Sequence, residues 1–181
     1  MMKSLFGLAI VLLMASCNSD TPAETTVAAD TTASEVKEEV KFLYPATFSA
    51  DWKIGDPQKI VKVQELYKVM LADSNYESTI PYYADSITNL SFDNRVLRLS
   101  APAFVDAVKN FRKGFKSLDE EFRSYVVLKN EEKNTEMVLV WVKEKGVRQS
   151  GKVDSSSYQE TWRFNNQGKI DYRSIFVRYD F

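Results

Sequence analysis

The side chains that could do chemistry in this chain are carboxylates, tyrosines, lysines and arginines. The 181 residues contain no histidine and one cysteine, Cys17. Histidine is the usual general base near neutral pH and the commonest metal ligand. Its absence excludes Ser-His-Asp and Cys-His nucleophiles and the usual zinc sites. We therefore expect no metal and no cofactor, and any catalysis must use Asp, Glu, Tyr, Lys or Arg.

The candidates for acid–base or oxyanion chemistry are Asp93, Glu160 and Tyr82. A tyrosine hydroxyl can stabilise a developing oxyanion, although a core tyrosine more often bonds to a backbone carbonyl. Asp93 could act as a base only if its turn points it inward. A lone carboxyl at Glu160, buried among aromatic side chains, would have a raised pKa and would indicate a functional site. None of the three is assigned as catalytic from the sequence.

Side chains on two predicted strands could line an aromatic pocket. Strand alternation places Tyr158, Glu160, Trp162 and Phe164 on one face of strand 155–165, and Met137, Leu139 and Trp141 on one face of strand 136–143. The pocket-lining candidates are therefore Tyr83, Met137, Leu139, Trp141, Tyr158, Trp162 and Phe164. The alternative is that these side chains only fill a core.

Charge is close to balanced, with 24 basic and 25 acidic residues and no long basic block, so nucleic acid is not an expected partner. The clusters 119–121, 131–133 and 143–145 are interpreted as solvated faces. Five basic residues could receive an acidic ligand or could serve solubility alone: Arg148, Lys152, Arg163, Arg173 and Arg178.

The predicted elements form an α+β domain. Asp56-Pro57 starts an amphipathic helix that runs to about Ala72, and Ser100 caps a later one. A shorter helical segment, 76–84, is interrupted by Pro81. The remaining segments read as strands at 87–92, 96–99, 123–129, 136–143, 155–165 and 169–179. Short turns between the last four predict an antiparallel meander.

The N-terminal segment indicates export. Lys3 precedes a short apolar run, too short to span a bilayer, which ends at Ala15-Ser16-Cys17. This pattern resembles the lipobox of bacterial lipoproteins, which implies a signal peptide at 1–16 and acylation of Cys17. Met14 stands where the lipobox usually has leucine. Residues 17–40 are acidic and Thr-rich and predict a disordered tether, followed by a folded domain at 41–181. The expected location is the cell envelope, at the outer membrane.

The segment Tyr82-Tyr83-Ala84-Asp85-Ser86-Ile87-Thr88 resembles the junction of second helix and first strand in the nuclear transport factor 2-like superfamily. Glu160-Thr161-Trp162-Arg163-Phe164 with Gly168-Lys169-Ile170 resembles its final hairpin, especially in the SnoaL-like branch. The resemblance implies a cone of about three helices packed on a curved antiparallel sheet.

The resemblance implies no single activity. The superfamily contains isomerases, cyclases, epoxide hydrolases and dehydratases beside members that only bind or dimerise, so the fold does not give the function. Isomerase-like members place a catalytic aspartate where this chain has Ser91, and dehydratase-like members use histidine, which this chain lacks. Both departures argue against those two activities here.

The sequence therefore favours a lipid-anchored envelope protein whose domain binds a small hydrophobic ligand without catalysis, or forms a homodimer through its sheet. The first alternative is an Asp/Glu-Tyr isomerase or cyclase acting on a small carbonyl-bearing hydrophobic substrate. The second is a structural protein with a filled cone. An open cavity containing a carboxylate within hydrogen-bond reach of a tyrosine would keep the enzyme alternative open.

Overall fold

The structure is a computed structural model that describes residues 43, 44 and 46–179. The signal peptide, Cys17 and the tether predicted at 17–40 lie outside these residues. In the described part of the chain, no helix has both the length and the apolar character needed to cross a membrane.

The chain forms a curved, open sheet of seven strands with helices on one face. The helices are α1 (Gln58–Ala72), a 3₁₀ helix (Tyr76–Tyr82) and α2 (Ala101–Arg112). The strands are β1 (Lys53–Ile54), β2 (Tyr83–Leu90), β3 (Val96–Ser100), β4 (Phe115–Asn130), β5 (Thr135–Arg148), β6 (Val153–Phe164) and β7 (Ile170–Tyr179). Their order is β1-β4-β5-β6-β7-β2-β3. All neighbours are antiparallel except β2 and β7, which are parallel.

This architecture confirms the predicted fold class of α+β with helices on a curved, mostly antiparallel sheet. The helix starts follow local chemistry. The Asp56 side chain accepts a 2.9 Å hydrogen bond from the Gln58 amide, and the Ser100 side chain accepts one from Ala103. These bonds satisfy amide groups that have no partner within the helix itself.

Several boundaries differ from the expectations. The segment 76–84 is a 3₁₀ helix that ends at Tyr82, and β2 begins at Tyr83, four residues before the predicted start at Ile87. The second difference matters more for the site: β4 begins at Phe115, whereas the sequence predicted a strand only at 123–129. The acidic cluster 119–121 is therefore part of a long strand. Pairing with β5 over its whole length stabilises β4 despite its polar composition.

The core lies between the helices and the concave face of the sheet. Val63 and Tyr67 on α1 and Phe104 on α2 pack towards the sheet, where Val138, Val140, Val142, Trp162 and Phe164 are buried. Alternation along β5 and β6 sends these side chains to one face and their neighbours to the other. The core does not fill the whole space under the helices, and the remainder forms a cavity.

Candidate ligand-binding cavity

A cavity of about 500 Å³ lies between the helices and the concave face of the sheet. Its walls are mostly apolar, and they include Leu66 and Met70 of α1, Phe104 and Val108 of α2, and Leu99 of β3. A polar wall crosses the sheet side of the cavity, formed by residues of β4, β5, β6 and β7. The cone is therefore open inside, which disagrees with the alternative of a filled structural cone.

The centre of the polar wall is Glu160 on β6, whose side chain is 2% exposed. Its Oε1 pairs with Nη2 of Arg173 on β7. Its Oε2 accepts a 2.5 Å hydrogen bond from the Tyr67 hydroxyl on α1. Both carboxylate oxygens are thus engaged, so Glu160 is buried but is not the lone carboxyl that the sequence analysis considered.

Arg173 links this centre to its surroundings. Its guanidinium lies 5.1 Å from the ring centroid of Trp162, and its Nη1 is 3.5 Å from Oδ1 of Asn89 on β2. Burial acts to lower the pKa of Arg173, but the Glu160 carboxylate outweighs it and holds that pKa above its usual range. Burial, followed by the charge of Glu160, raises the pKa of the Tyr67 hydroxyl well above its ordinary value. The tyrosine therefore stays a proton donor.

A second carboxyl–tyrosine pair lies farther along the same wall. The Tyr158 hydroxyl on β6 donates a 2.7 Å hydrogen bond to Oε1 of Glu120 on β4. Burial raises the pKa of the Glu120 carboxyl to about 8; the Tyr158 bond opposes this, and the charges of Glu160 and Glu144 add to it. Near neutral pH, Glu120 is therefore mostly protonated.

Glu144 on β5 completes the polar wall. It lies directly opposite Glu120 in the strand register and lines the same cavity. Burial raises the pKa of the Glu144 carboxyl to about 6, although the charge of Arg148 lowers it. In the described part of the chain, no group of three or more acidic, histidine or cysteine side chains is arranged to hold a metal ion.

The structure brings together some of the predicted site residues. Glu160, Tyr83, Tyr158 and Trp162 all line the cavity. Ser91, at the position of the isomerase aspartate, also lines it. Phe164 is 1% exposed but belongs to the packed core and not to the cavity lining.

Three predicted lining residues lie on the opposite face of the sheet. Met137, Leu139 and Trp141 alternate with Val138, Val140 and Val142, and the valines are the ones buried against the helices. Trp141 is 38% exposed and lines a shallow depression on the outer face with Phe176. Since this strand is apolar on both faces, alternation grouped its residues correctly but did not show which group faces inward.

The other weak candidates also lie outside the cavity wall. Asp93 sits in the β2–β3 turn, where Oδ2 is 2.5 Å from Nε of Arg95 and Oδ1 accepts a bond from Ser91. The Tyr82 hydroxyl donates a 2.7 Å bond to the exposed Glu65. Asp85, which the sequence placed at the helix-to-strand corner, is exposed on β2.

Three lining residues were missed or misread. Glu120 and Glu144 were interpreted as solvated because each lies in a run of charges, and Tyr67 was not among the site candidates. Arg173 had been left open between receiving an acidic group and serving solubility. Extending the alternation from Val138, Val140 and Val142 by one step would have pointed Glu144 inward. No local signal identified Tyr67, since its partner is far away in the chain.

Comparison with known proteins identifies the fold of the chain but no family. No family model matches the chain, and no curated protein sequence matches it. Among solved structures, a protein of unknown function from Exiguobacterium sp. 255-15, described as NTF2-like, superposes with a TM-score of 0.53 at 16% identity, over 65% of this chain and 98% of that one.

Two further structures carry names that refer to enzymes. The epoxide hydrolase/cyclase-like enzyme SalBIII, which has a role in pyran ring formation in the polyether salinomycin, gives a TM-score of 0.53 at 10% identity, over 67% of this chain and 91% of that one. A Bacillus subtilis protein with a provisional assignment as an isomerase gives 0.52 at 16% identity, over 67% and 87%. Identities this low carry the architecture and no activity. The described chain has the nuclear transport factor 2-like fold.

Proposed function

We propose that the folded domain binds a small ligand with a largely apolar body inside the cone. The observation that carries the proposal is the cavity of about 500 Å³, in which apolar walls face one polar wall. Its volume lies within the range of about 300–1,000 Å³ that is common for small-molecule sites. Apolar walls supply affinity, and a few polar groups fix the orientation of the ligand.

A non-catalytic role is supported by how the polar groups are used. Glu160 is fully engaged by Arg173 and Tyr67, and Asp93 is engaged at the turn by Arg95 and Ser91. A general base needs a free oxygen within reach of the proton that it abstracts. The sequence-derived catalytic candidates therefore lack that freedom in this structure.

The alternative is an isomerase or cyclase that acts on a small carbonyl-bearing hydrophobic substrate. One observation favours it: Glu120, protonated near neutral pH, and Tyr158 form a hydrogen-bonded pair on the cavity wall. Such a pair could donate to a developing oxyanion. With the α-proton passing to the ionised carboxylate of Glu144, whose pKa is about 6, this activity would be seen as deuterium exchange at the α-carbon of decan-2-one in D₂O, with loss of exchange in Glu120→Gln. Absence of exchange with the wild-type protein contradicts this alternative.

The cellular setting is part of the proposal. Acylation at Cys17 would hold the domain at the cell envelope, and the tether at 17–40 would separate it from the membrane surface. A homodimer through the outer face of the sheet is supported by the exposed aromatic side chains Trp141 and Phe176, which share the shallow depression on that face.

The binding function is tested with the neutral fluorophore N-phenyl-1-naphthylamine and the full-length protein. We expect fluorescence enhancement with the wild type and its loss in Val108→Trp, because Val108 lines the cavity and a larger side chain fills it. The control is Val61→Trp, a position on α1 that is 44% exposed and outside the cavity. No enhancement with the wild type, or equal binding by both variants, contradicts the proposal.

A further inference from the structure

Three arginines and three glutamates line the cavity: Arg95, Arg148, Arg173, Glu120, Glu144 and Glu160. Each arginine already has an acidic partner, since Arg95 pairs with Asp93 at 2.5 Å, Arg148 with Asp154 at 2.5 Å, and Arg173 with Glu160. In the described chain, neither Glu120 nor Glu144 has a lysine or arginine nitrogen within 4.0 Å. The cavity thus has two carboxyl groups without a cation.

These two carboxyl groups are neighbours. Glu120 on β4 and Glu144 on β5 are directly opposite in an antiparallel pair, a position that brings Cβ atoms to within about 5.5 Å. Two ionised carboxylates at such a position would destabilise the sheet, and Glu120 avoids this by being mostly protonated near neutral pH. No lining arginine is free to neutralise the pair, because each is already held by another acid.

One oxygen of this pair has no protein partner. Oε1 of Glu120 accepts the Tyr158 hydroxyl, whereas Oε2 is fully buried and has no hydrogen-bond partner in the described chain. A buried polar atom without a partner costs stability, and such groups call for an explanation. A ligand group that both donates hydrogen bonds and carries positive charge would satisfy this oxygen and pair with Glu144 at once.

We infer that the polar wall receives the cationic nitrogen of an amphiphilic amine, held between Glu120 and Glu144, while the apolar body of the amine lies against the helices. This inference rests on the proposed ligand-binding function and names its ligand class. A carboxylate ligand is disfavoured, because it would lie near two acidic side chains.

The inference predicts a pH dependence of binding. The groups that face Glu120 are Tyr67 on α1, Glu144 on β5, Tyr158 and Glu160 on β6 and Arg173 on β7. The groups that face Glu144 are Arg148 on β5, Asp154 and Glu160 on β6 and Arg173 on β7. With pKa values of about 8 and about 6, the pair holds roughly one proton at pH 7. An ammonium group favours the ionised carboxyl, so binding should release a proton. Amine affinity should therefore rise between about pH 6 and pH 8, where an alkylammonium stays charged.

The experiment compares decylamine, decanol and decanoate, which share one apolar body, as competitors of N-phenyl-1-naphthylamine bound to the full-length protein. Calorimetry in two buffers of different ionisation enthalpy counts the protons released. The variants are Glu120→Gln and Glu144→Gln, with Glu121→Gln as the matched control, since Glu121 is an exposed residue of the same strand.

We expect decylamine to bind at least about tenfold more tightly than decanol or decanoate at pH 7, with proton release, and to lose about tenfold in affinity in either cavity variant. Glu121→Gln should bind as the wild type does. Equal affinity for decylamine and decanol, or no effect of Glu144→Gln, would overturn the amine inference but leave the cavity as a binding site. Failure of the fluorophore and all three competitors to bind would instead contradict the proposed function.

Discussion

The hydroxyl of Tyr67 donates to Oε2 of Glu160 across the cavity, which connects the first helix to the sixth strand. Arg173 holds the other oxygen of the same carboxylate from the seventh strand. One side chain thus joins three elements that are distant in the chain. Because two of these elements belong to the sheet and one to the helical layer, this cluster sets the spacing between the layers at the polar wall.

Replacement of Glu160 should cost stability. Glu160→Gln leaves the buried Arg173 without its anionic partner, and breaking such a pair from one side costs about 3 kcal/mol. Urea denaturation should show a lower midpoint with an unchanged slope. Glu121→Gln, which alters an exposed pair with Arg123, should stay within about 0.5 kcal/mol of the wild type. A Glu160→Gln variant as stable as this control would show that the pair contributes nothing.

The single hydrogen bond from Tyr67 can be examined alone. Tyr67→Phe keeps the ring, which packs 4.8 Å from Phe122 and 6.4 Å from Trp162, and removes only the hydroxyl. Loss of a bond to a charged group should lower the free energy of unfolding by about 2 kcal/mol. The matched control is Tyr82→Phe, whose hydroxyl bonds to the exposed Glu65 and should matter little. Equal effects of the two changes would contradict a special role for the buried pair.

Stability should fall as pH rises through the range in which Glu120 titrates. Its pKa is about 8 in the folded protein and near the ordinary glutamate value when unfolded, so the folded state holds more protons between these values. The stabilising contribution is complete below about pH 4 and is lost as pH rises to about 8. Thermal unfolding measured from pH 5 to pH 9 should show this decline, and Glu120→Gln should flatten it. An unchanged profile in the variant would assign the decline to other groups.

Membrane association should depend on the only cysteine. If Cys17 carries the acyl chains, Cys17→Ala should move the protein from the membrane fraction to the supernatant, because the variant cannot carry the acyl chains that would hold it there. Cell fractionation and incorporation of labelled palmitate measure this directly. Unchanged sedimentation with membranes would refute the anchor, and Ser16→Ala serves as a neighbouring control.

The outer face of the sheet can be tested for self-association. Trp141→Lys places a charge on the outer face of the inner strand β5, in the depression shared with Phe176. Val96→Lys places the same charge at an exposed position of the edge strand β3. If the protein dimerises through this face, analytical ultracentrifugation should show monomers for the first variant and dimers for the second. A wild-type monomer at all concentrations would end the dimer proposal.

Sequence patterns by themselves determined the types of most elements. Helical spacing of apolar residues in α1, the Ser100 cap and the alternation along β5 and β6 are local properties, readable over one or two turns or a few residues of strand. The absence of histidine, also visible in the sequence, determined that any catalysis must use Asp, Glu, Tyr, Lys or Arg.

Only the tertiary structure decided which of those side chains meet. Trp141 and Val140 are equally apolar, and the helices on one face of the sheet alone make one of them exposed and the other buried. Glu120 and Glu144 lie in charged runs typical of surfaces, yet pairing of β4 with β5 turns both inward. In a long strand of mixed polarity, the pairing with the neighbouring strand decides which side chains lie on the inner face. The cavity that Glu120, Glu144 and Tyr67 line forms only after distant elements have packed.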